Sequence, residues 1–311
     1  QTLWNALGLA VLDGGRSDCD VPTDPDSVGP HIMPASKQPW LIRRDYATNS
    51  NEGPWLTNPA QPLEGFSRIF GPERTTRYAR TRMGLRIVRD RLNGTDGLPG
   101  NRFSRQGAQD ALFNNRNLFG EIWREDLVRF CRATPLMMDL TFQLADVREA
   151  CDVLAKWDGT SNLDSRGSVL FSRFLTHMLV SLDTVAATVG ADPPGFYRRG
   201  FDVRNPVDTP SGLNTDNWHA AIALARAVNE FRWVGLPLDV SLRQASKTVY
   251  GGADIPLHGN TSVNGAFNVI DSEWMNTYFR MGANERAEGG GASPVMVTSF
   301  TGGCVDDRSL L

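Results

Sequence analysis

From about residue 74 to residue 233 the apolar residues of this chain recur at helical spacing, and no other feature narrows its possible folds as much. Tyr78, Leu85, Val88 and Leu92 recur among arginines, and Asn93-Gly94 then supplies a stop, so a basic helix is expected over about 74–92. Its arginines are open to the plain reading of a solvated face. Further helices are expected over roughly 105–117, 120–132, 146–157, 168–189 and 216–233. In the 168–189 segment Val169, Phe171, Phe174, Leu175 and Leu179 form an apolar stripe.

The flanks read differently. Residues 1–65 are rich in Pro, Asp, Asn and Gly, with turn-forming pairs such as Asp13-Gly14 and Asn58-Pro59, and read as extended chain and loop over a scaffold. Beyond residue 250, glycine-rich turns separate short β-prone runs, Ser262 to Ile270 and Pro294 to Phe300, which read as strands joining a sheet. No repeat of fixed period appears, which disfavours a solenoid or propeller. The class is therefore α+β, with a mainly helical middle and β-strands near both ends. No linker or charge block divides the 311 residues, so a single domain spanning 1–311 is expected.

With 41% hydrophobic and 22% charged residues the chain can bury a large core, and disorder is not the default. A net charge of -3 with interspersed signs creates no basic field for nucleic acid or an anionic membrane surface. No apolar run approaches the roughly 20 residues needed to cross a bilayer. The opening QTLWNALGLAVLDGG lacks a basic n-region and a small-residue cleavage site, so any export signal is expected elsewhere.

Of the four cysteines, Cys19, Cys131, Cys151 and Cys304, none form CxxC pairs or zinc-type spacings with histidine, so no metal is expected. Cys131 and Cys151 fall on consecutive helices that a hairpin could bring together, as a disulfide or as two buried thiols. Neither GxSxG nor HExxH occurs. His31, His177, His219 and His258 lie far apart without paired spacing, and each reads more plainly as a packed or surface residue. Cys304, after two glycines, reads as a strand-end cysteine in a disulfide or core.

The most unusual passage, RRDYATNSNEGPWLTNPAQPLEGFSRIFG over residues 43–71, crowds small amides beside an aromatic residue. An asparagine NH₂ can donate to a developing oxyanion, and one such donor is worth about 2.7–4 kcal/mol in the transition state. The plainer reading of the passage alone is a string of Asx-turns.

This passage resembles the Asn-Ser-Asn region of the penicillin acylase family, in particular acyl-homoserine-lactone acylases and aculeacin-type lipopeptide deacylases. LDGGRSDCD upstream, then RTRMGL, LAKWDGTSNLDSRGSVLFSRF and HGNTSVNGAFNVI downstream, are similar to family segments in the same order, so the resemblance spans nearly the whole chain. It implies part of an αββα sandwich of the N-terminal-nucleophile type. In that family a precursor cleaves itself to expose Ser, Thr or Cys as the first residue of a large subunit. The α-amine of that residue acts as base, and a backbone N–H together with an asparagine amide holds the oxyanion.

Carried onto this sequence, the oxyanion asparagine is Asn51. Asn49 and Trp55 are its neighbours on the substrate side, Asn49 chiefly as support for the local geometry. The family's downstream arginine falls on Arg77, with Arg80 and Arg82 the alternatives. Penicillin acylases proper carry calcium, but its acidic ligand is missing where Pro59 to Pro62 intervene, so no cofactor is expected. Asp164 in the family-like Asp164-Ser165-Arg166-Gly167 stretch reads as a helix N-cap.

The first residue, Gln1, cannot be the nucleophile, so the chain is expected to be the C-terminal portion of the large subunit, inactive alone. Its expected partners are the N-terminal part of that subunit and a separate small subunit, because a sheet lacking its first strands exposes edges and apolar faces. Cys19 is expected to pair within the missing part, which implies a periplasmic or extracellular protein. The expected activity is hydrolysis of an acyl amide such as an acyl-homoserine lactone, a lipopeptide or a β-lactam. The alternative is a non-catalytic binding or assembly module that retains the fold.

Overall fold

The helical periodicity is realised almost segment by segment in the computed structural model, which describes residues 15, 23–180, 195–250, 253–261, 264–269, 271–272 and 298–299. Among these residues the helices are α1 (Ala79–Asn93), α2 (Arg105–Phe113), α3 (Leu118–Ala133), α4 (Arg148–Lys156), α5 (Ser168–Val180), α6 (His219–Val234) and the short α7 (Leu242–Ala245). Helix α1 ends where Gly94 adopts φ 68°, its N–H and that of Thr95 bonding back to the carbonyls of Arg91 and Asp90. Helix α2 stops short of the expected 117 because Asn115 turns left-handed at φ 51° and the Asn114 side chain accepts the Arg116 N–H. Asn117 then caps α3, its Oδ1 accepting the Gly120 N–H at 2.9 Å.

The core lies between α3, α4, α5 and α6, with α5 packed along α6 and α3 along α4. Trp123, Leu127, Trp157, Phe171, Phe174 and Phe231 fill it. In α5, Val169, Phe171, Phe174 and Leu175 are fully buried, as the stripe requires, and Leu170 and Met178 are buried with them. Leu179's side chain and residues 181–189 lie outside the described residues, as do Cys19, Cys304 and the Asp13-Gly14 turn. Asp164 is not the cap of α5: the helix begins at Ser168, and the Asp164 carboxylate instead meets Arg243 at 3.0 Å.

Among the described residues the strands are paired as four separate antiparallel ladders: β1 (Leu136–Met138) with β2 (Leu144–Asp146), β3 (Tyr197–Arg199) with β4 (Ser211–Leu213), β5 (Lys247–Tyr250) with β6 (Ala253–Pro256), and β7 (Asp271–Ser272) with β8 (Thr298–Ser299). Mixed α+β content is thus present, but residues 23–65 contain no ladder. Of the expected strand Ser262 to Ile270, the described part is turn and isolated bridges, because Gly265 sits at φ 79° and the segment touches other backbone only at the single bridges Asn117–Ala266 and Asn260–Val269.

Between α3 and α4 the chain makes the β1–β2 hairpin rather than a simple helical hairpin, and Cys131 and Cys151 are joined as a disulfide with Cα atoms 5.9 Å apart. Helix α1 departs most from its expectation. Tyr78 is exposed, whereas Arg82 and Arg91 are buried as deeply as its apolar residues. Arg82 donates to the carbonyls of Val207 (3.1 Å) and Pro210 (2.8 Å), and Arg91 to those of Leu98, Pro99 and Gly100. The outer arginines are not simply solvated either. Arg86, Glu121, Arg116, Asp90, Arg89 and Asp208 close a ring of alternating charge at 2.6–3.3 Å that ties α1 to α3.

The disulfide closes a loop of 20 residues in sequence separation, which on chain entropy stabilises the fold by about 3 kcal/mol. Replacing both cysteines by alanine should lower the denaturant midpoint accordingly, with little change in helical circular dichroism at zero denaturant. A midpoint equal to that of the oxidised parent would remove the cross-link from the stabilising interactions.

Candidate active site

The loop carrying Asn51 is folded on itself before it meets anything else. The Thr48 N–H donates to the Thr57 carbonyl at 2.9 Å, and buried Asn58 donates to the Tyr46 carbonyl (3.0 Å) and accepts from the Ala60 N–H (2.9 Å). Pro54–Leu56 form one 3₁₀ turn that drops Trp55 and Leu56 into a small apolar cluster with Leu85 and Val207. At the crest Asn51 adopts φ 62°, a left-handed conformation that asparagine tolerates better than most residues, and its N–H donates to Asn49 Oδ1 at 2.7 Å. The Asx-turn reading is thus realised: Asn49 makes the turn and Asn51 is what the turn presents.

Arg80, in the first turn of α1, reaches back to this crest. Its Nη2 donates to the Ser50 carbonyl (2.6 Å) and to Asn51 Oδ1 (2.9 Å). A guanidinium can only donate, so it fixes the amide with oxygen inward and leaves the Asn51 NH₂ on the outward side of an exposed residue. That is the orientation a side-chain oxyanion donor needs.

Arg77 stands elsewhere. It is buried, its guanidinium lies 5.0 Å from the Trp55 ring centre, and Nη2 donates to the Pro72 carbonyl at 2.6 Å and to Thr75 Oγ1 at 3.1 Å. Trp55 is only 1% exposed and donates Nε1–H to Glu64 at 2.8 Å. Its ring therefore supports the loop from beneath rather than lining a surface. Of the four residues expected at the site, Asn49 and Asn51 sit together at the surface, while Arg77 and Trp55 stack beneath them. Arg80 takes the contact with Asn51 because it lies within the first turn of α1, whereas Arg77 precedes the helix in the segment that packs on Trp55.

Glu52 completes the group. Its carboxylate accepts the Tyr78 N–H at 3.0 Å and lies 3.5 Å from Arg77 Nη1. Burial pushes the Glu52 carboxyl above the ordinary glutamate range, against the pull of the Thr81 hydroxyl, Arg77, the Tyr78 N–H and Arg80. The same burial draws Arg77 and Arg80 downward, opposed by Glu52. Glu52 was not among the residues expected at the site: no periodicity pointed to it, and only its place beside Asn51 could have.

The tail segment reaches the same place from the other side. Phe267 packs on Gly84 of α1, directly behind Ser50. Asn260 and Asn264 anchor this segment by donating to Ser172 Oγ on α5, each at 2.9 Å. The amides of Asn115 (3.0 Å) and Asn268 (3.3 Å) both donate to His258 Nδ1, which makes that nitrogen an acceptor, and burial lowers the imidazole pKa. His258 is thus a packed, hydrogen-bonded residue, and His177 meets Glu230 at 3.0 Å within the helical core. Among the described residues no group of three or more His, Cys, Asp or Glu is placed to hold a metal ion.

Residues 2–307 match the penicillin amidase family. Aculeacin-A acylase of Actinoplanes utahensis is 40% identical over 274 residues, covering 87% of this chain and 32% of that protein. Acyl-homoserine lactone acylase PvdQ of Pseudomonas syringae pv. tomato is 31% identical over 269 residues, 85% of this chain and 32% of its own length. PvdQ of Pseudomonas putida is 28% identical over 97% of this chain and 35% of its own. The chain therefore spans about a third of the length of these curated relatives.

A Cβ on Gly84 would lie 2.8–2.9 Å from the Phe267 ring, with Ser50 Oγ in ordinary contact at 3.6 Å, so Gly84→Ala must push the ring aside. It should cost about 1–3 kcal/mol despite alanine's better helix propensity. A chemical-denaturation curve unchanged or shifted upward would show that the contact is slack.

Proposed function

Because the chain belongs to the penicillin amidase family, we propose that it supplies the side-chain half of the oxyanion hole of an acyl-amide hydrolase, with Asn51 as donor and Arg80 setting its orientation. The observation that carries this reading is the amide held by its oxygen from behind, with its NH₂ turned outward. In the complete protein the terminal nucleophile attacks the acyl carbonyl and its α-amine, with pKa near ~8, takes the proton. The Asn51 NH₂ donates to the oxyanion that forms, the amine product leaves with the proton, and water releases the acid. The relatives extend well beyond the third that this chain matches, which leaves room for the nucleophile and the backbone donor. No cofactor takes part in this scheme.

The substrate class is a long-chain acyl amide, an acyl-homoserine lactone or a lipopeptide, ahead of a β-lactam side chain. Similarity to acylases of those two classes supports this order. The chain serves as one domain of an αββα sandwich, its short ladders extending sheets contributed by the remaining polypeptide. The Cys131–Cys151 disulfide supports a periplasmic or extracellular site of action. Among the described residues, no helix is long and apolar enough to cross a membrane.

The partner docks on the β1–β2 hairpin. Leu136, Met138, Leu140, Phe142 and Leu144 are 48–85% exposed there while Met137 and Ala145 face the core. The occupant is the remaining acylase polypeptide, which in the relatives is about twice as long as the matched region. Co-expressed with that polypeptide, Leu140→Asp with Phe142→Asp should abolish a co-eluting complex, and unchanged co-elution would place the partner elsewhere.

In the assembled enzyme Asn51→Ala should lower kcat by roughly 10²-fold or more with a smaller change in KM, because the donor acts on charge present only in the transition state. Acid release from C4 to C16 acyl amides measures both the effect and the chain preference. Near-normal turnover of the variant would exclude Asn51 from the oxyanion hole, and an assembled enzyme inert to every chain length would leave the binding-module alternative.

A further inference from the structure

Segment 50–52 is attached to the start of α1 from both directions. Arg80 reaches out of the helix to the Ser50 carbonyl and Asn51 Oδ1, and Glu52 reaches back to the Tyr78 N–H immediately before the helix. The Glu52 and Arg77 side chains are only 9% and 2% exposed, so this second attachment is screened from water, and Arg77 is itself locked by the Pro72 carbonyl, Thr75 and the Trp55 face. Asn51 lies between the two attachments in a left-handed conformation that would relax if either were released.

We propose that Glu52 is a positioning residue for the Asn51 amide, its carboxylate clamping the Asn51 loop to the residue that leads into α1 so that Arg80 can hold the amide oxygen. This rests on the oxyanion reading of Asn51. Glu52 touches no reacting atom and acts only through Asn51. Loss of the clamp lets the loop shift by a fraction of an ångström to an ångström, and misplacement of that size costs up to about 10²-fold in rate.

The test is a double-mutant cycle in the assembled enzyme, with acid release from an acyl amide as readout. Glu52→Ala should lower kcat tenfold to a hundredfold with KM little changed. Glu52→Gln, which keeps an oxygen acceptor for the Tyr78 N–H, should recover most of the loss. Added to Asn51→Ala, Glu52→Ala should cost nothing further, because the group it positions is already gone. Multiplicative losses in the double variant, or a change confined to KM, would overturn the proposal.

A second measurement keeps the question decidable if Glu52→Ala folds poorly or the parent proves inert. Crystal structures of the parent and Glu52→Gln should show the Arg80–Asn51 hydrogen bond kept, and a structure of Glu52→Asp, which shortens the clamp, should show it broken. An Asn51 amide unmoved in Glu52→Asp would refute the positioning role whatever the activity. A parent inert to all acyl amides would count against the oxyanion reading alone.

Discussion

The arrangement depends on the need of buried guanidinium groups for acceptors. A guanidinium carries five N–H donors and cannot shed its charge, so each one buried must find carbonyls or carboxylates or cost several kcal/mol. Helix α1 and the turn before it bury Arg77, Arg82 and Arg91 and half-bury Arg80. The acceptors they recruit come from the Asn51 loop, residues 72–75, residues 98–100 and the stretch around Val207 and Pro210. Four irregular segments are therefore held in place by one helix, although none has a hydrophobic core of its own beyond the small cluster at Trp55.

A second polar assembly answers it. The tail around Asn260, Asn264 and Asn268 is fastened to α5 and to the Asn115 turn by side-chain amides, and it carries Phe267 onto Gly84. The candidate site is thus wedged between an arginine-rich helix and an asparagine-rich tail, both anchored to the helical core. Packing of this kind allows an exposed side chain such as Asn51 to keep one orientation, since the backbone beneath it has few alternatives.

Helix positions were legible because burial of one face imposes a 3.6-residue period, and α3, α5 and α6 follow it closely. Helix α1 misled for a definite reason. Hydrophobic periodicity counts arginine as a solvent residue, whereas here arginine reaches the interior by bonding carbonyls from segments up to 128 residues away in sequence, and no local pattern records such partners. The tail misled for a different reason: its β-prone composition is real, but its described residues turn at Gly265 and are fastened by asparagine amides to side chains of distant segments, partners that no local pattern records.

The amino-acid order by itself determined the helical middle, the family and the identity of Asn51 as the amide to examine, because these rest on local period and on an ordered set of motifs. Only the tertiary structure decided which arginine meets Asn51, that Arg77 and Trp55 lie beneath the loop, that Glu52 joins them, and that Cys131 and Cys151 are bonded. Each of those outcomes depends on how far a side chain reaches across a fold whose contacting residues are 20–30 positions apart in sequence, and at such separations the chain's order constrains proximity only through everything packed between.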